Sequence, residues 1–173
     1  MISSTNKMIL RRWNKSDAEF LFALNSDPNV LLYTGDSPFW SVAEAEKFIA
    51  HYNHYTTFGY GRWICELKST GEAVGWAGLK NQMKSVGIID IGFRFLKNYW
   101  NKGLATEAAE ECLKLGFETF GITEITGRAA VENIYSGKVL QRIGMTKLPK
   151  VNEVHGHKMN FYSLNHLDYG SLL

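Results

Sequence analysis

The first sixty residues place apolar side chains at helical spacing. Ser16 and Glu19 form a capping-box pattern, and the apolar run behind them continues until an Asp-Pro pair. Ser41 and Glu44 repeat the pattern. The stripe that follows recurs at positions i, i+3, i+4 and i+7, and comprises Ala45, Phe48, Ile49 and Tyr52. The sequence therefore predicts two early helices, the second of which reaches about His54.

Between residues 62 and 96 the apolar spacing changes to every second residue. Residues 62–68 and 73–79 flank a Ser-Thr-Gly turn, which predicts a β-hairpin. Residues 88–96 predict a further strand whose two faces differ in chemistry. One face carries Ile89, Ile91, Phe93 and Phe95, and the other carries Ile88, Asp90, Gly92 and Arg94. A glycine inside this strand indicates a bulge or the close approach of a ligand.

The remainder of the chain alternates helical and extended patterns. The longest helical pattern follows Gly103 and ends near Gly121, residues 124–131 predict a strand, and residues 135–143 predict a helix. Residues 157–164 predict a terminal strand. Because a hairpin precedes strand-helix units, we expect an α/β fold with a mixed sheet. The length of 173 residues and the 45% hydrophobic content are typical of a single domain, residues 1–173.

Composition narrows the class of protein. Lysine and arginine number 19 against 17 acidic residues, and a net charge of +2 does not predict a nucleic-acid or membrane partner. No stretch approaches the roughly 18 apolar residues of a membrane span, and the polar start does not resemble a secretory leader. Cys65 and Cys112 lie far apart in the sequence, which predicts buried free thiols in a cytoplasmic protein. The oligomeric state stays open, a homodimer included.

The segment from residue 90 to residue 108 carries the clearest chemical signal. A strand, a short loop with Gly103 at the bend, and a helix expose unpaired N–H groups at the positive end of a helix dipole. Such a terminus binds phosphate, and Lys102 and the slim Ala105 suit it. An ordinary strand-to-helix turn is the alternative. Two other phosphate-binding loops are excluded. A Walker loop ending at Gly137-Lys138 would need a glycine where Glu132 stands, and a dinucleotide fingerprint starting at Gly59 would need a glycine where Ile64 stands.

Spaced motifs extend over roughly residues 8 to 165. They are Leu10-Arg-Arg-Trp13 with Asp17-Ala18, Asp27-Pro28, Gly71-Glu-Ala-Val-Gly75, Asp90-Ile-Gly-Phe93, Tyr99-Trp-Asn-Lys-Gly-Leu-Ala-Thr-Glu-Ala108, and Glu132-Asn-x-x-Ser136 with Val139-Leu140 and Ile143-Gly-Met145. Together they resemble the GNAT acetyltransferase superfamily, and within it the RimJ/RimL-like branch of ribosomal-protein N-terminal acetyltransferases.

The resemblance implies a GNAT-like fold, in which helices flank a mixed, mostly antiparallel sheet and a splayed strand pair holds the acyl-CoA. Acetyl-CoA is then the acyl donor. Its pyrophosphate contacts the backbone amides of Asn101, Lys102, Gly103, Leu104, Ala105 and Thr106. Its pantetheine runs along the strand at Phe93, Phe95 and Leu96, and Asn133 forms a hydrogen bond with the pantetheine arm. The family has Gln or Arg where Trp100 stands, a departure that backbone binding tolerates.

Two residues are candidates for proton transfer. The family pattern places a tyrosine acid where this chain has Leu140, and the resemblance suggests Ser136 as its substitute. An aliphatic amine has a pKa near about 10, so it must lose a proton before attack. Asp90, at the start of the predicted strand, is the candidate base, directly or through a water. The alternative role for Asp90 is an ion pair with Arg94.

The acceptor and any metal are less defined. The resemblance implies that the turn around residues 33–40 shapes the acceptor pocket, with Tyr33 and Trp40 as contacts and Asp36 as partner of an ammonium group. Simple packing is the alternative for the aromatic residues. His51 with His54, and His155 with His157, have ligand-like spacing, but no third ligand is evident, so no metal is expected.

We therefore expect an N-acetyltransferase that moves an acetyl group from acetyl-CoA to a primary amine of a protein N-terminus or small molecule. The amine attacks directly, through a tetrahedral intermediate whose oxyanion a strand N–H stabilises. The alternative is a catalytically weak acyl-CoA-binding sensor or scaffold, which the leucine at position 140 leaves open. The sequence does not define the acceptor.

Overall fold

The structure is a computed structural model that describes residues 1–82, 87–154 and 156–172. Its eight strands are β1 (Ser3–Ser4), β2 (Met8–Arg11), β3 (Arg62–Leu67), β4 (Ala73–Asn81), β5 (Ile89–Phe95), β6 (Glu124–Ala130), β7 (Thr146–Val154) and β8 (His157–Asn165). Its α-helices are α1 (Ala18–Leu24), α2 (Pro28–Leu31), α3 (Val42–His51), α4 (His54–Phe58), α5 (Leu104–Lys114), α6 (Ile134–Arg142) and α7 (His166–Gly170).

All eight strands join one sheet in the order β1-β2-β3-β4-β5-β6-β8-β7. Every neighbouring pair is antiparallel except β5 and β6, which run parallel. The predicted α/β class with a mixed, mostly antiparallel sheet is therefore confirmed, as is the hairpin of β3 and β4.

The parallel contact in the centre of the sheet is short. It consists of two residue pairs, Asp90 with Thr126 and Ile91 with Gly127. Beyond them β5 stays paired with β4 as far as Phe95, whereas β6 stays paired with β8. The two strands therefore separate, and a gap opens in the middle of the sheet.

Helices cover both faces of the sheet. On one face α5 and α6 enclose the larger core, which includes Ile91, Phe95 and Leu140. Cys65 and Cys112 are free and fully buried in this core, as predicted. On the other face α1, α2 and α3 pack over β3 and β4 in a second core, which includes Trp13, Leu21, Ile64 and Trp76. No helix among the described residues combines the length and apolarity needed to cross a bilayer.

The helix boundaries correct three predictions. The capping box before α1 is formed by Asn14 and Asp17, whose carboxylate accepts the N–H of Asn14 at 2.8 Å, and not by Ser16 and Glu19. The second predicted helix ends at His51, because a separate helix, α4, follows it. The long helical pattern is α-helical to Lys114 and then continues as a π-helical segment over Leu115–Thr119.

Three strands were not predicted. β1 and β2 are only two and four residues long, which is too short for a periodic signal. β7 lies at the edge of the sheet, and nearly all of its residues are exposed, so it lacks the alternation of a half-buried strand. The missing signal has two origins, because β2 does bury Met8 and Leu10 but is too short to show a period, whereas few side chains of β7 are buried.

Candidate active site

The gap between β5 and β6 is lined by backbone groups. The N–H of Leu96 donates to the carbonyl of Val74 at 3.0 Å, so the alternation of an antiparallel ladder directs the odd-numbered residues of β5 towards β6. Past the last β5–β6 pair these groups face the gap. The Phe95 carbonyl accepts the indole N–H of Trp100 at 2.7 Å. The N–H groups of Phe93 and Phe95 and the carbonyl of Phe93 are left facing it.

Trp100 thus has a structural explanation that the sequence did not provide. Its indole N–H ties the loop after β5 back to the end of that strand, while 42% of the residue stays exposed. The side chain fixes the distance between the strand and the following helix. A glutamine or arginine at this position is therefore not required to shape the loop.

The N-terminus of α5 presents unpaired donors next to this gap. Gly103 is the N-cap, with φ 78°, a left-handed conformation that glycine adopts without strain. No side chain caps the helix, and its first intrahelical bond runs from the N–H of Glu107 to the Gly103 carbonyl. Among the described residues, the N–H groups of Leu104, Ala105 and Thr106 therefore have no partner. α5 has eleven residues, long enough for its dipole to favour an anion here.

The loop before α5 is open at its rim and fixed at its base. Asn101, with φ 59°, Lys102 and Gly103 are exposed, and the Lys102 ammonium lies 4.8 Å from the ring centroid of Tyr99. Leu104 is 3% exposed and anchors the first helical turn in the core. The predicted contacts for pyrophosphate, residues 101–106, therefore form one accessible surface.

Asn133 and Ser136 lie together at the start of α6. The side-chain oxygen of Asn133 accepts the N–H of Ser136 at 3.1 Å and so caps the helix, which leaves the Asn133 amide group as a donor. Ser136 is half-buried in the first turn. Leu140 is 1% exposed and packs against Gly127, so the position where the family pattern has a tyrosine belongs to the core.

Asp90 lies where β5 and β6 begin to separate, on the face opposite Phe93 and Phe95. Its Oδ2 accepts a hydrogen bond from Arg128 at 3.1 Å. Its buried Oδ1 accepts no hydrogen bond of good geometry from the described residues, although the Gln82 side chain lies near enough to lower the pKa of Asp90 slightly. The expected alternative partner was Arg94, which instead pairs with Asp36 at 2.6 Å. Burial raises the pKa of Asp90, and the Arg128 guanidinium opposes that shift without cancelling it. A carboxylate of raised pKa is a better proton acceptor.

A cavity of about 350 Å³ opens on the face of the sheet that carries Asp90, although Asp90 is not itself one of its lining residues. Among its lining residues are Asp36, Arg62, Trp76, Lys80 and Arg94, together with the aromatic side chains of Trp13, Phe39 and Phe48. It lies between the sheet and the segment that links α1, α2 and α3. A volume of this size suits a small molecule or the end of a peptide.

The three predicted acceptor contacts take different positions. Asp36 lines the cavity, but its carboxylate is engaged by Arg94. The Tyr33 ring lies 6.1 Å from that of His157, and it is not among the lining residues of the cavity. Trp40 is 82% exposed and also lies outside the lining. The turn therefore brings one of these side chains to the cavity and leaves two beside it.

Arg62 and Lys80 were missed by reasoning from the sequence. Both lie on the strand face opposite the main core, where Arg62 aligns with Gly78 and Lys80 aligns with Asp90. The alternation that placed Trp63 and Cys65 in the core also places Arg62 on the other face. That signal was present in the sequence, but only the pairing of three strands gathers the cations.

The predicted histidine pairs do not form a metal centre in the described parts of the chain. His54 packs between the rings of Tyr52 and Phe58, and burial lowers its pKa. His155 lies outside the described residues. No group of three or more His, Cys, Asp or Glu side chains placed to hold a metal occurs among the residues that are described.

Comparisons with known proteins agree with this geometry. The model of the acetyltransferase (GNAT) domain family matches residues 7–146. The uncharacterized N-acetyltransferase p20 of Bacillus licheniformis is 30% identical over 144 residues, which cover 83% of this chain and 81% of that protein.

Solved structures show the same fold. A GNAT-family acetyltransferase from Bacillus anthracis superimposes with a TM-score of 0.81 at 23% identity, over 95% of this chain and 98% of that one. The spermidine N-acetyltransferase of Vibrio cholerae, in complex with CoA and spermine, has a TM-score of 0.80 at 18% identity, over 94% and 97% of the two chains. With the family match over most of its length, the chain belongs to the GNAT acetyltransferases and uses acetyl-CoA as its acyl donor.

Proposed function

We propose that this enzyme acetylates a primary amine that binds in the cavity beside Asp90 and attacks acetyl-CoA directly. The observation that carries the proposal is the position of that cavity. It opens on the sheet face where β5 and β6 separate, whereas the unpaired amides of α5 lie at the far end of β5. In this proposal the gap between the strands is the route that joins the two, as a reaction between a threaded thioester and an amine requires.

The donor is bound by backbone groups. Its pyrophosphate accepts from the amides of residues 101–106 at the N-terminus of α5, and its pantetheine follows Phe93 to Leu96 along the open edge of β5. The free amide group of Asn133 donates to the pantetheine from the opposite side of the gap. When the pantetheine pairs with this edge, it satisfies the backbone N–H and C=O groups of β5 that do not pair with β6.

Proton transfers are divided between the two faces of the sheet. Asp90 takes the proton of the ammonium group on the cavity side, and the neutral amine attacks the thioester carbon. The N–H of Phe93 or Phe95 stabilises the oxyanion of the tetrahedral intermediate. When the carbon–sulfur bond breaks, the Ser136 hydroxyl protonates the departing thiolate from the α6 side. The acetylated amine and free CoA are the products.

Membership of the RimJ/RimL-like branch is part of the same proposal. It is supported by Trp100, whose indole stabilises the loop, and by Ser136 close to Asn133 at the start of α6. The family pattern alone does not select between a protein N-terminus and a small amine. The charges of the cavity bear on that choice.

The test is release of free CoA from acetyl-CoA with a panel of amines, for the parent and for Gly103→Val. Gly103 has φ 78°, so the substitution strains the backbone by about 1 to 2 kcal/mol. The space around its missing Cβ is open, so the added side chain meets no protein atom there and instead crowds the approach of a phosphate. We expect acetyl-CoA binding, measured by calorimetry, to weaken at least about tenfold, which is 1.4 kcal/mol.

Gly121→Val is the matched control. Gly121 has φ 63° and the same open surroundings, but it follows the π-helical segment at the other end of α5. We expect a similar loss of stability with unchanged acetyl-CoA binding. Equal affinity of Gly103→Val and the parent would refute the phosphate site. Tight acetyl-CoA binding without turnover of any amine would instead support a sensor.

A further inference from the structure

The charged side chains of the acceptor cavity are unevenly paired. Asp36 is bound to Arg94 at 2.6 Å, and the Glu44 carboxylate accepts the backbone N–H of Trp40 at 2.8 Å. Both acids that line the cavity are therefore engaged. Among the described residues, the charged lining groups without an ionic partner are Glu44, Arg62 and Lys80. The Glu44 carboxylate at least accepts the Trp40 N–H, whereas no hydrogen bond or ion pair engages the two cations in the part of the chain that the structure describes.

Arg62 is the more unusual of these cations. Its guanidinium carbon lies 4.3 Å from the ring centroid of Trp76, and its Nε is fully buried with no hydrogen-bond partner among the described residues. Stacking on an aromatic ring holds the planar group in place but provides no hydrogen-bond acceptor. A buried donor without an acceptor costs about 1 to 3 kcal/mol. A ligand that places an acceptor at the Arg62 Nε–H would therefore remove this cost.

Lys80 adds a second positive charge from the neighbouring strand. Burial lowers the pKa of Lys80, and the nearby Arg62 guanidinium lowers it further. Burial likewise lowers the pKa of Arg62. Arg94 also lowers the pKa of Arg62, and the charges of Asp36 and Asp90 raise the pKa of both cations without cancelling the effect of burial. An anion that enters the cavity therefore stabilises the charged forms of both groups. A polyammonium acceptor would add to the repulsion instead.

The register of the sheet limits how far the anion lies from the reacting amine. Arg62 aligns with Gly78 on β4, and Gly78 aligns with Gly92 on β5, where the strands separate. Two strand spacings amount to roughly 10 Å between the Arg62 and Gly92 backbones. The long arginine side chain covers part of that span, so a single small molecule can reach Arg62 with its anionic group and the strand gap with its amine.

We propose that the acceptor is a small amino acid that carries its carboxylate near the reactive amine, and that Arg62, assisted by Lys80, binds this carboxylate. The inference rests on the proposed function, because it names the substrate class of the same cavity. The aromatic lining of Trp13, Phe39 and Phe48 then accommodates an apolar side chain of the acceptor. The protein N-terminus lacks this carboxylate, since its first residue continues into an amide.

The experiment compares phenylalanine, phenylalaninamide, phenethylamine and spermidine as acceptors. The first three share one ring and one amine and differ in the carboxylate. The amide group lowers the pKa of the amine and so favours phenylalaninamide unless the site selects the carboxylate. We expect the highest kcat/KM for phenylalanine. Arg62→Gln should lower it about 10- to 100-fold, as for a lost charge-assisted hydrogen bond, and should lower the phenethylamine rate much less, because that amine has no carboxylate to lose.

Three variants guard against a misfolded protein. Arg62→Lys keeps the charge and should recover part of the loss, and Lys80→Met removes a more accessible cation and should lower only the phenylalanine rate. Arg12→Gln is the matched control, because Arg12 also stacks on an aromatic ring, Tyr55 at 5.2 Å, but is exposed outside the cavity lining. We expect no change for it.

Binding measured without turnover separates the two proposals. Calorimetry of phenylalanine against the CoA-saturated enzyme reports the carboxylate site alone. Turnover of phenylalaninamide or spermidine at or above the phenylalanine rate would overturn the inference and leave the acetyltransferase function intact. Carboxylate-dependent binding that Arg62→Gln abolishes, without acetylation of any amine, would support the site and refute the proposed function. Absence of both binding and preference would overturn the inference.

Discussion

Replacement of Asp90 by asparagine tests the assignment of the general base. Asparagine keeps the shape of the side chain and its acceptor oxygen towards Arg128, which lies 3.1 Å from the present carboxylate. The variant loses an ion pair but also the cost of a buried charge. Because the Arg128 side chain is 31% exposed and water solvates its charge in part, we expect stability to change by only about 1 kcal/mol.

The effect on rate follows from the acceptor. For an amine with a pKa of about 10, roughly one molecule in a thousand is neutral at pH 7. A base that removes the proton therefore accelerates the reaction by up to about a thousandfold at this pH, within the range known for general bases. We expect Asp90→Asn to lower kcat/KM by about 100- to 1000-fold at pH 7. The deficit should shrink tenfold per pH unit and vanish near pH 10.

The pH profile of the parent supplies the sign of the effect. Burial raises the pKa of Asp90. As the pH falls, the base therefore becomes protonated and inactive at a higher pH than an ordinary aspartate would. Activity of the parent should rise through that pKa and then level off. Activity of Asp90→Asn should rise continuously towards the pKa of the amine, because only the neutral fraction reacts.

The assay is CoA release between pH 5 and about 10 with a saturating and a limiting amine concentration. Asp36→Asn is the matched control, since Asp36 is also an ion-paired acid but is bound to Arg94 and lines the cavity, whereas Asp90 is bound to Arg128 and does not line it. It should keep the shape of the parent profile. A constant ratio between Asp90→Asn and the parent at every pH would refute the role of Asp90 as the base.

Two further predictions concern the other side of the sheet. Ser136→Ala should lower kcat about 10- to 1000-fold with unchanged acetyl-CoA affinity, as expected for loss of one proton donor. Steady-state CoA release measures kcat, and calorimetry measures the affinity. A full rate would mean that the thiolate leaves unprotonated, since its thiol has a pKa near about 8.5. Burial raises the pKa of Cys65 and of Cys112, so neither thiol should react with a disulfide reagent before unfolding, and rapid reaction of the native protein would contradict their placement in the core.

Periodicity predicted the elements whose side chains are sorted by burial. β5 is the clearest case, because Ile91 and Phe95 enter the main core while Asp90 and Arg94 emerge on the other face. β7 gave no such signal, since an exposed edge strand does not separate apolar from polar positions. Local capping was also ambiguous, because Asn14 and Ser16 both suit an N-cap and tertiary packing decided between them.

The residues of the site also differ in how far the sequence predicts them. The donors at Gly103 belong to one continuous segment, so their approximate position follows from the sequence pattern of a strand, a glycine and a helix. The cation pair in the cavity does not, because Arg62 and Lys80 come from different strands and meet only through their register. Trp100 showed a third limit, since no pattern indicates that its indole bonds to the carbonyl of Phe95.

The short β5–β6 contact also has a mechanical consequence. With two residue pairs at this seam, the eight-stranded sheet behaves as a five-stranded plate, β1 to β5, and a three-stranded plate, β6 to β8, that meet at a narrow joint. Stress concentrates at the joint, so the amides of Ile91 and Gly127 should exchange with solvent sooner than those in the middle of either plate. A molecule bound in the gap contacts both plates, so the stiffness of the sheet should depend on whether the ligand is bound.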